Sequence, residues 1–331
     1  MREFGIGEYG KKIVRRHISF SSREELNSFL KKEAPLFISY SLAFYKYPDL
    51  TPMEKKEMVG AEMVFEFDED CPFPTESCLE SAKEKTLSLI SFLEDTFGLK
   101  KMSVNFSGNR GFHIHVFDEE VLDLSESARE EIVNYVSKSN FSPNFLLTPV
   151  FTKSKVLIIK DRLYDYYSTK VINILSNSNV QELEKILNAE KKEIRKFLLS
   201  LETFKKEVSK GEFKKEHFKI FSDILKYVIS REGFDVDIQT SKDVKKLIRL
   251  EDSLHGETGL MAKKVSINSL ESFSLDDSVV FSSEKTKVYL SRNIKFSFLG
   301  VEYDLQEGLN VVPEFVAILL CGKGVAHGAI I

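Results

Sequence analysis

The sequence contains no tryptophan, and cysteine and histidine are scarce, with three and six residues among 331. The three cysteines, Cys71, Cys78 and Cys321, do not suggest a disulfide framework, so we expect a reducing, intracellular compartment. Neither sign of charge predominates, because 47 basic and 51 acidic residues leave a net charge of −4. Such a balance neither favours nor excludes a nucleic-acid partner. The 27 phenylalanines predict a phenylalanine-rich core.

Long apolar segments are also absent. The N-terminal stretch MREFGIGEYGKKIVRRHISF lacks the apolar run of a signal peptide. The run EFVAILLCG near the C terminus is too short to span a bilayer. These features predict a soluble, cytoplasmic protein that does not interact with membranes.

Helical and alternating patterns follow each other in the first half of the chain. SSREELNSFLKKEAP combines serine capping with apolar residues at helical spacing. AEMVFEFD and MSVNFSGNRGFHIHVF alternate with period two and are rich in Val, Ile and Phe, which is typical of strands. Between them, SCLESAKEKTLSLISFLEDTFG predicts an amphipathic helix that ends at Gly98. The fold class is therefore predicted to be α/β, in the sense of a mixed α+β arrangement.

Residues 165–230 have a different texture, rich in Lys and Glu and without strand alternation. Their apolar residues recur at helical spacing: Leu183, Ile186, Leu187, Ile194, Phe197, Leu198 and Leu201. We interpret the lysines as a solvated helix face rather than a nucleic-acid patch. The pattern predicts a helical insertion over 165–230 within a discontinuous main domain formed by 1–164 and 231–331.

Carboxylates crowd the end of the apolar stretch AEMVFEFDED. In a strand, Phe65 and Phe67 would face the core, whereas Glu66, Asp68 and Asp70 would share the opposite face. Residues two apart are separated by roughly 6.5–7 Å, and like charges this close require a positive partner. Mg²⁺ is a natural candidate because it prefers oxygen ligands. The alternative is a strand end that frays into solvent.

Two further segments carry residues suited to phosphate. In SGNRGFHIH, Gly108 and Gly111 allow a tight turn, and Arg110 offers a forked cation. His113 and His115 would then lie on one strand face.

The segment FDVDIQTSKDVKKLIRLEDSLHGETGL again combines acidic and basic residues. Asp235 and Asp237 are predicted to share a strand face, followed by Arg249 and by His255 beside two glycines. Taken alone, His255 is more typical of a histidine satisfied within a loop than of a functional residue.

These motifs, together with the opening REFGIGEYGKKIVRRHISF and the terminal VPEFVAILLCGKGVAHG, resemble the small, catalytic subunit of the archaeal and eukaryotic DNA primase family, most closely its archaeal members. The resemblance implies a primase-type catalytic domain that uses nucleoside triphosphates to synthesise short RNA primers on a single-stranded DNA template. Whether DNA primers are also made is left open. The resemblance also implies a heterodimer with a larger subunit that contains an iron–sulfur cluster.

The resemblance also implies roles for individual residues. Glu66, Asp68 and Asp237 would be the catalytic residues and would hold Mg²⁺ or Mn²⁺ for a two-metal nucleotidyl transfer. The nucleotide-binding residues would be Ser107, Arg110, His113, Arg249 and His255.

The sequence departs from the family pattern at three places. Glu66 stands where an aspartate is usual, and the literal pair Asp68 and Asp70 offers an alternative register, although the apolar flanks favour Glu66 and Asp68. Asn109 stands where many relatives have arginine, which removes one positive charge. Only Cys71 and Cys78 are present where relatives carry a zinc module, so no structural zinc is expected.

Two other functions remain open from sequence. His113 and His115 with nearby carboxylates could form the zinc or manganese site of a hydrolase, although the chain has only six histidines that could serve as ligands. The chain could also be a catalytically degenerate scaffold that binds nucleotides or nucleic acid within a polymerase complex.

Overall fold

The structure, a computed structural model, describes residues 1–137, 149–160, 162–232, 234 and 236–330. These residues form two compact units. The first comprises Met1–Ser91, Leu99–Glu130 and the chain from Val236 onward, and the second comprises Phe92–Gly98 and the chain between Glu131 and that last segment. The predicted insertion over 165–230 lies within the second unit.

The α-helices within the described ranges are, in chain order, α1 (Arg23–Glu33), α2 (Glu76–Phe97), α3 (Glu119–Leu122), α4 (Glu126–Val136), α5 (Arg162–Asn177), α6 (Val180–Leu187), α7 (Lys191–Leu198), α8 (Leu201–Lys210), α9 (Lys215–Glu232), α10 (Ile238–Lys242) and α11 (Glu314–Gly322). Where the sequence predicts capping, the structure shows it, because the Ser22 side chain accepts a hydrogen bond from the Glu25 amide at the start of α1. The predicted end of α2 is confirmed at Phe97, followed by Gly98 with a φ of 72°. No helix in the part of the chain that the structure describes combines the length and apolar composition needed to cross a membrane.

The strands of the same residues are β1 (Phe4–Glu8), β2 (Lys11–Ile18), β3 (Phe37–Ser41), β4 (Ala43–Tyr45), β5 (Met58–Ala61), β6 (Met63–Asp68), β7 (Met102–Phe106), β8 (Gly111–Val116), β9 (Val150–Phe151), β10 (Lys155–Leu157), β11 (Glu212–Lys214), β12 (Leu247–Arg249), β13 (Lys263–Val265), β14 (Lys285–Leu290), β15 (Ile294–Phe298), β16 (Val301–Leu305), β17 (Gly308–Pro313) and β18 (Ala326–Ile330). The mixed α+β class is thus confirmed.

Two four-stranded sheets of the first unit matter most for function. One has the order β13–β7–β8–β6 and the other β12–β3–β1–β2. The predicted strand–helix–strand unit is β6, α2 and β7, with β8 inserted between the two strands in an antiparallel manner. The phenylalanine-rich core is confirmed here: Phe65, Phe67, Phe106 and Phe112 are all buried, and the rings of Phe106 and Phe112 lie 5.6 Å apart.

The second unit is mainly helical and has its own aromatic core, in which the rings of Phe213 and Phe221 lie 4.8 Å apart. Phe213 belongs to β11, which pairs with β10. This short strand lies inside the segment predicted to be entirely helical. Three residues are too few to show alternation, so periodicity could not reveal this strand.

The expectation about the cysteines is wrong for Cys71 and Cys78, which form a disulfide. Cys71 follows β6 and Cys78 lies in the first turn of α2, so the reversal of the chain between them brings their Cα atoms to 6.8 Å. That separation is within the range a disulfide can bridge. Whether this region binds zinc is not tested by the pairing, and the absence of a structural zinc stays a prediction.

Candidate active site

The register between β6 and β8 sets up the site. Glu66 lies directly opposite His113 and Asp68 directly opposite Gly111. Because paired residues share a sheet face, Glu66 Oε1 and His113 Nε2 lie 3.7 Å apart. A Cβ on Gly111 would lie 1.7 Å from the Phe67 carbonyl oxygen, so glycine is required for this close pairing.

Asp237 joins Glu66 from a distant part of the chain. The prediction that it lies on a strand is wrong: it is the N-cap of α10, and its Oδ1 accepts hydrogen bonds from the amides of Gln239 and Thr240. Asp235 lies outside the described residues. The Asp237 amide is 3.4 Å from the Glu66 carbonyl oxygen, which ties this cap to β6.

One hydroxyl and one cation link the two carboxylates. Thr240 Oγ1 is 2.9 Å from Glu66 Oε2 and 2.6 Å from Asp237 Oδ2, so its proton can serve either carboxylate. Lys246 Nζ lies 3.9 Å from Glu66 Oε2 and 3.4 Å from Asp237 Oδ2. Lys246 is therefore the positive partner that two neighbouring carboxylates require.

Both carboxyl groups are held in the ionised form. Burial alone would raise the pKa of Glu66, but interactions with His113, Lys246 and Thr240 outweigh it and hold that pKa well below its usual range. Burial would also raise the pKa of Asp237, but the hydrogen bond from the Thr240 hydroxyl and the charge of Lys246 outweigh burial. The pKa of Asp237 is therefore lowered as well. Ionised, half-buried carboxylates are suitable ligands for a hard divalent cation.

Asp68 and Arg110 are paired with each other. An Arg110 Nη atom lies 3.0 Å from Asp68 Oδ2, and the other donates to the Cys71 carbonyl oxygen at 2.6 Å. Within the described ranges, no group of three His, Cys, Asp or Glu side chains is arranged to hold a metal ion. The structure thus unites Glu66 with Asp237, while Asp68, two residues along β6, faces an arginine.

Most of the predicted site residues line a cavity of about 310 Å³. Its lining includes Glu66, Asp68, Ser107, His113, Arg249 and His255. Asp237 reaches this group through Thr240 and Glu66, and Arg110 through Asp68. Asp70 lies beyond the end of β6, which stops at Asp68.

The glycine turn packs against the segment that carries His255. Gly108 has a φ of 79°, a Cβ there would lie 2.8 Å from the His255 Cβ, and its carbonyl accepts a hydrogen bond from Thr258 Oγ1 at 2.5 Å. Within the turn, the Ser107 amide donates to the Gly111 carbonyl and the Asn109 amide to Ser107 Oγ. These two amides serve the turn itself, and Ser107 and Asn109 face the cavity.

His255 supplies a buried hydrogen-bond donor and Arg249 a partly buried one. Burial, together with the charge of Arg249, lowers the pKa of His255 to about 2. Its Nδ1 accepts from the Glu257 amide, so the neutral ring carries its proton on Nε2. Burial also lowers the pKa of Arg249, to about 10, and its guanidinium lies 5.2 Å from the centre of the Phe37 ring.

The state of His255 can be measured directly. We expect its ring to remain neutral down to about pH 4 in the folded protein and to titrate near pH 6.5 in urea. Because the folded pKa lies below the unfolded one, His255 contributes stability above about pH 6.5 that is lost as the pH falls. Histidine ring ¹⁵N shifts, followed with pH in both states, check this; a folded-state midpoint near 6.5 would contradict the described burial.

His115 has a different environment from His113. It is 1% exposed, its Nδ1 lies 3.3 Å from Glu62, and Asn105 lies 3.1 Å from its Nε2. The two histidines therefore do not face one ligand site, although they share a strand face.

Several residues of the cavity were missed by sequence reasoning. Lys12 and Ser39 come from the second sheet, and Lys246 follows the short helix α10. Thr240, which lies within α10, contacts the cavity residue Glu66. Only Lys246 carried a signal, as part of the basic run KKLIRL. The cavity as a whole combines ionised carboxylates with cationic side chains, which suits a phosphate-bearing ligand together with a divalent cation.

Comparison with known proteins agrees with this chemistry. A family described as DNA primase small subunit matches residues 67–267, so the match begins one residue after Glu66. The chain is 30% identical to the DNA primase small subunit of Methanosarcina mazei, over 96% of this chain and 87% of that protein. It is 31% identical to those of Methanothrix thermoacetophila, over 98% and 92%, and Archaeoglobus fulgidus, over 94% and 86%. The chain belongs to the DNA primase small subunit family, as the motifs indicated.

Proposed function

We propose that this chain is the catalytic subunit of a DNA primase, which joins nucleoside triphosphates into short RNA primers on a single-stranded DNA template. The observation that supports this most is the pair of ionised carboxylates, Glu66 and Asp237, at a cavity that also contains Arg249 and His255. Family membership gives the same indication.

The residues would form two groups, one that binds the divalent cation and one that binds the negatively charged triphosphate. Glu66, Asp68 and Asp237 would hold Mg²⁺ or Mn²⁺, which supplies Lewis-acid stabilisation of the transferring phosphoryl group. Arg249 and the Nε2 proton of His255 would bind and orient triphosphate oxygens, and Ser107 and His113 line the same cavity.

The pairing of Asp68 with Arg110 fits this scheme. Each neutralises the other in the structure. Each also has the charge required by one half of a cation–triphosphate complex, since Asp68 would favour the cation and Arg110 the phosphates. Binding both halves together would therefore leave neither side chain without an opposite charge.

The direct test is incorporation of labelled ribonucleotide on a single-stranded DNA template with Mg²⁺ or Mn²⁺. We expect products that depend on both template and divalent cation. Addition of the primase large subunit, the proposed partner, is expected to increase initiation. If neither cation supports incorporation, even with that subunit, the proposal fails.

One observation favours a second candidate, a degenerate scaffold that binds nucleotide without joining it. Lys246 already neutralises Glu66 and Asp237, and the described residues hold no preformed three-ligand metal group. Normal triphosphate binding without bond formation, with Mn²⁺ and the large subunit present, would establish this alternative.

A further inference from the structure

A second cavity of about 330 Å³ adjoins the candidate active site, and Lys12 lines both cavities. Its walls come from four segments of the chain. They are the turn of the β1–β2 hairpin with Tyr9, Lys11 and Lys12, Phe37 of β3, the stretch Gly256–Glu257, and the end of α11 with Gly322 and Lys323. Its volume is within the range of ligand sites, about 300–1,000 Å³.

Positive charge dominates this cavity. Lys11, Lys12 and Lys323 line it, and in the described part of the chain none of them makes a salt bridge, while Glu257 is the one carboxylate of the lining. Burial lowers the pKa of Lys323; Glu257 opposes this, and the charge of Arg110 adds to it. Three cations around a single carboxylate leave an excess of positive charge, which favours an anionic ligand.

An aromatic ring accompanies these cations. Tyr9 is at the tip of the hairpin, lines the cavity and is 64% exposed. A Cβ on Gly324 would lie 3.0 Å from its hydroxyl oxygen, so the ring reaches the turn that follows α11. Exposed aromatic rings beside lysines are suited to stacking with nucleic-acid bases while the lysines neutralise phosphates.

We infer that this second cavity binds the phosphate backbone of a single-stranded polynucleotide, with a base stacked on Tyr9. Because Lys12 lines both this cavity and the candidate active site, a strand of several nucleotides can contact both, whereas a single nucleotide would occupy only one. The inference rests on the proposed function and specifies where that site holds its nucleic-acid strand.

The test measures binding of a fluorescent oligothymidylate to the full chain at several salt concentrations, without nucleoside triphosphate. Each lysine that contacts a phosphate contributes about 0.7 to the slope of log affinity against log salt for single strands. The double variant Lys11→Gln/Lys323→Gln is therefore expected to lower that slope by about 1.4. The matched control is Lys31→Gln/Lys32→Gln, two exposed lysines in the last turn of α1.

The aromatic contribution is tested separately. Tyr9→Ala is expected to weaken oligothymidylate binding about ten-fold, and Tyr9→Phe, which keeps the ring, to leave it unchanged. ATP affinity, measured without DNA, is expected to be the same in all variants. A slope equal to that of the control pair, or weaker binding of ATP but not of the oligonucleotide, would overturn the inference.

These outcomes are separable from failure of the proposed function. Wild-type protein that incorporates ribonucleotide, with no change of slope in the lysine variant, contradicts only the second cavity. If the slope is lower in the lysine variant, as expected, but the wild-type protein incorporates no ribonucleotide, only the catalytic proposal is contradicted.

Discussion

Replacement of Glu66 by glutamine, or of Asp237 by asparagine, is expected to lower the rate of ribonucleotide incorporation by at least about a hundred-fold. Each change removes one ionised carboxylate from the pair and keeps the shape of the side chain. Asparagine is also a good N-cap residue, so α10 is expected to form normally in the Asp237→Asn variant. Incorporation rates with saturating Mg²⁺ and Mn²⁺, together with thermal melts, measure the effect.

The same assay distinguishes the two possible registers of the acidic strand. Asp68 lines the cavity, whereas Asp70 lies past the end of β6. Asp68→Asn is therefore expected to impair incorporation severely and the control Asp70→Asn to have little effect. Full rates in the Glu66 and Asp237 variants would end the metal-site proposal, and a severe defect only in Asp70→Asn would favour the other register.

Replacement of Glu3 by alanine is expected to destabilise the protein by about 3–5 kcal/mol, because it leaves a buried cation without its partner. Glu3 is fully buried and accepts from Arg16 at 2.7 Å, and Lys56, also fully buried, lies 3.1 Å from its second oxygen. The free energy of unfolding in urea measures the loss. Glu8→Ala, an exposed change at the end of β1, the strand that follows Glu3, is the matched control and is expected to cost less than about 0.5 kcal/mol.

The dependence of this loss on pH has a defined sign. Burial raises the pKa of Glu3, but Arg16 and Lys56 outweigh it and the net pKa is lowered. A lowered pKa means that the contribution of Glu3 is present above the unfolded value of about 4.3 and is lost as the pH falls below it. The difference between wild type and Glu3→Ala is therefore expected to shrink in acid; a constant difference would contradict the ion-pair explanation.

The parts of the site that lie on regular strands could be predicted from sequence. Alternation of apolar and acidic residues identified β6, and the glycines and same-face histidines identified β8. Those two strands pair directly in the structure, which brings Glu66 and His113 together. Local periodicity is informative here because one face of each strand is buried.

The features that the sequence did not reveal depend on tertiary contacts. Asp237 resembled a strand residue because three residues of alternation are too few to separate a strand from a helix cap. Lys246 looked like one of many surface lysines, and only the fold places it between two carboxylates. The pairing of Cys71 with Cys78 likewise depends on the reversal of the chain between β6 and α2.

A crystal structure of the protein with Mn²⁺ and a non-hydrolysable nucleoside triphosphate would test the central claim most directly. We predict anomalous manganese density bounded by the carboxylates of Glu66, Asp68 and Asp237, with triphosphate oxygens at Arg249 and His255. Manganese bound elsewhere, with Lys246 still bridging Glu66 and Asp237 and no nucleotide in the cavity, would contradict it.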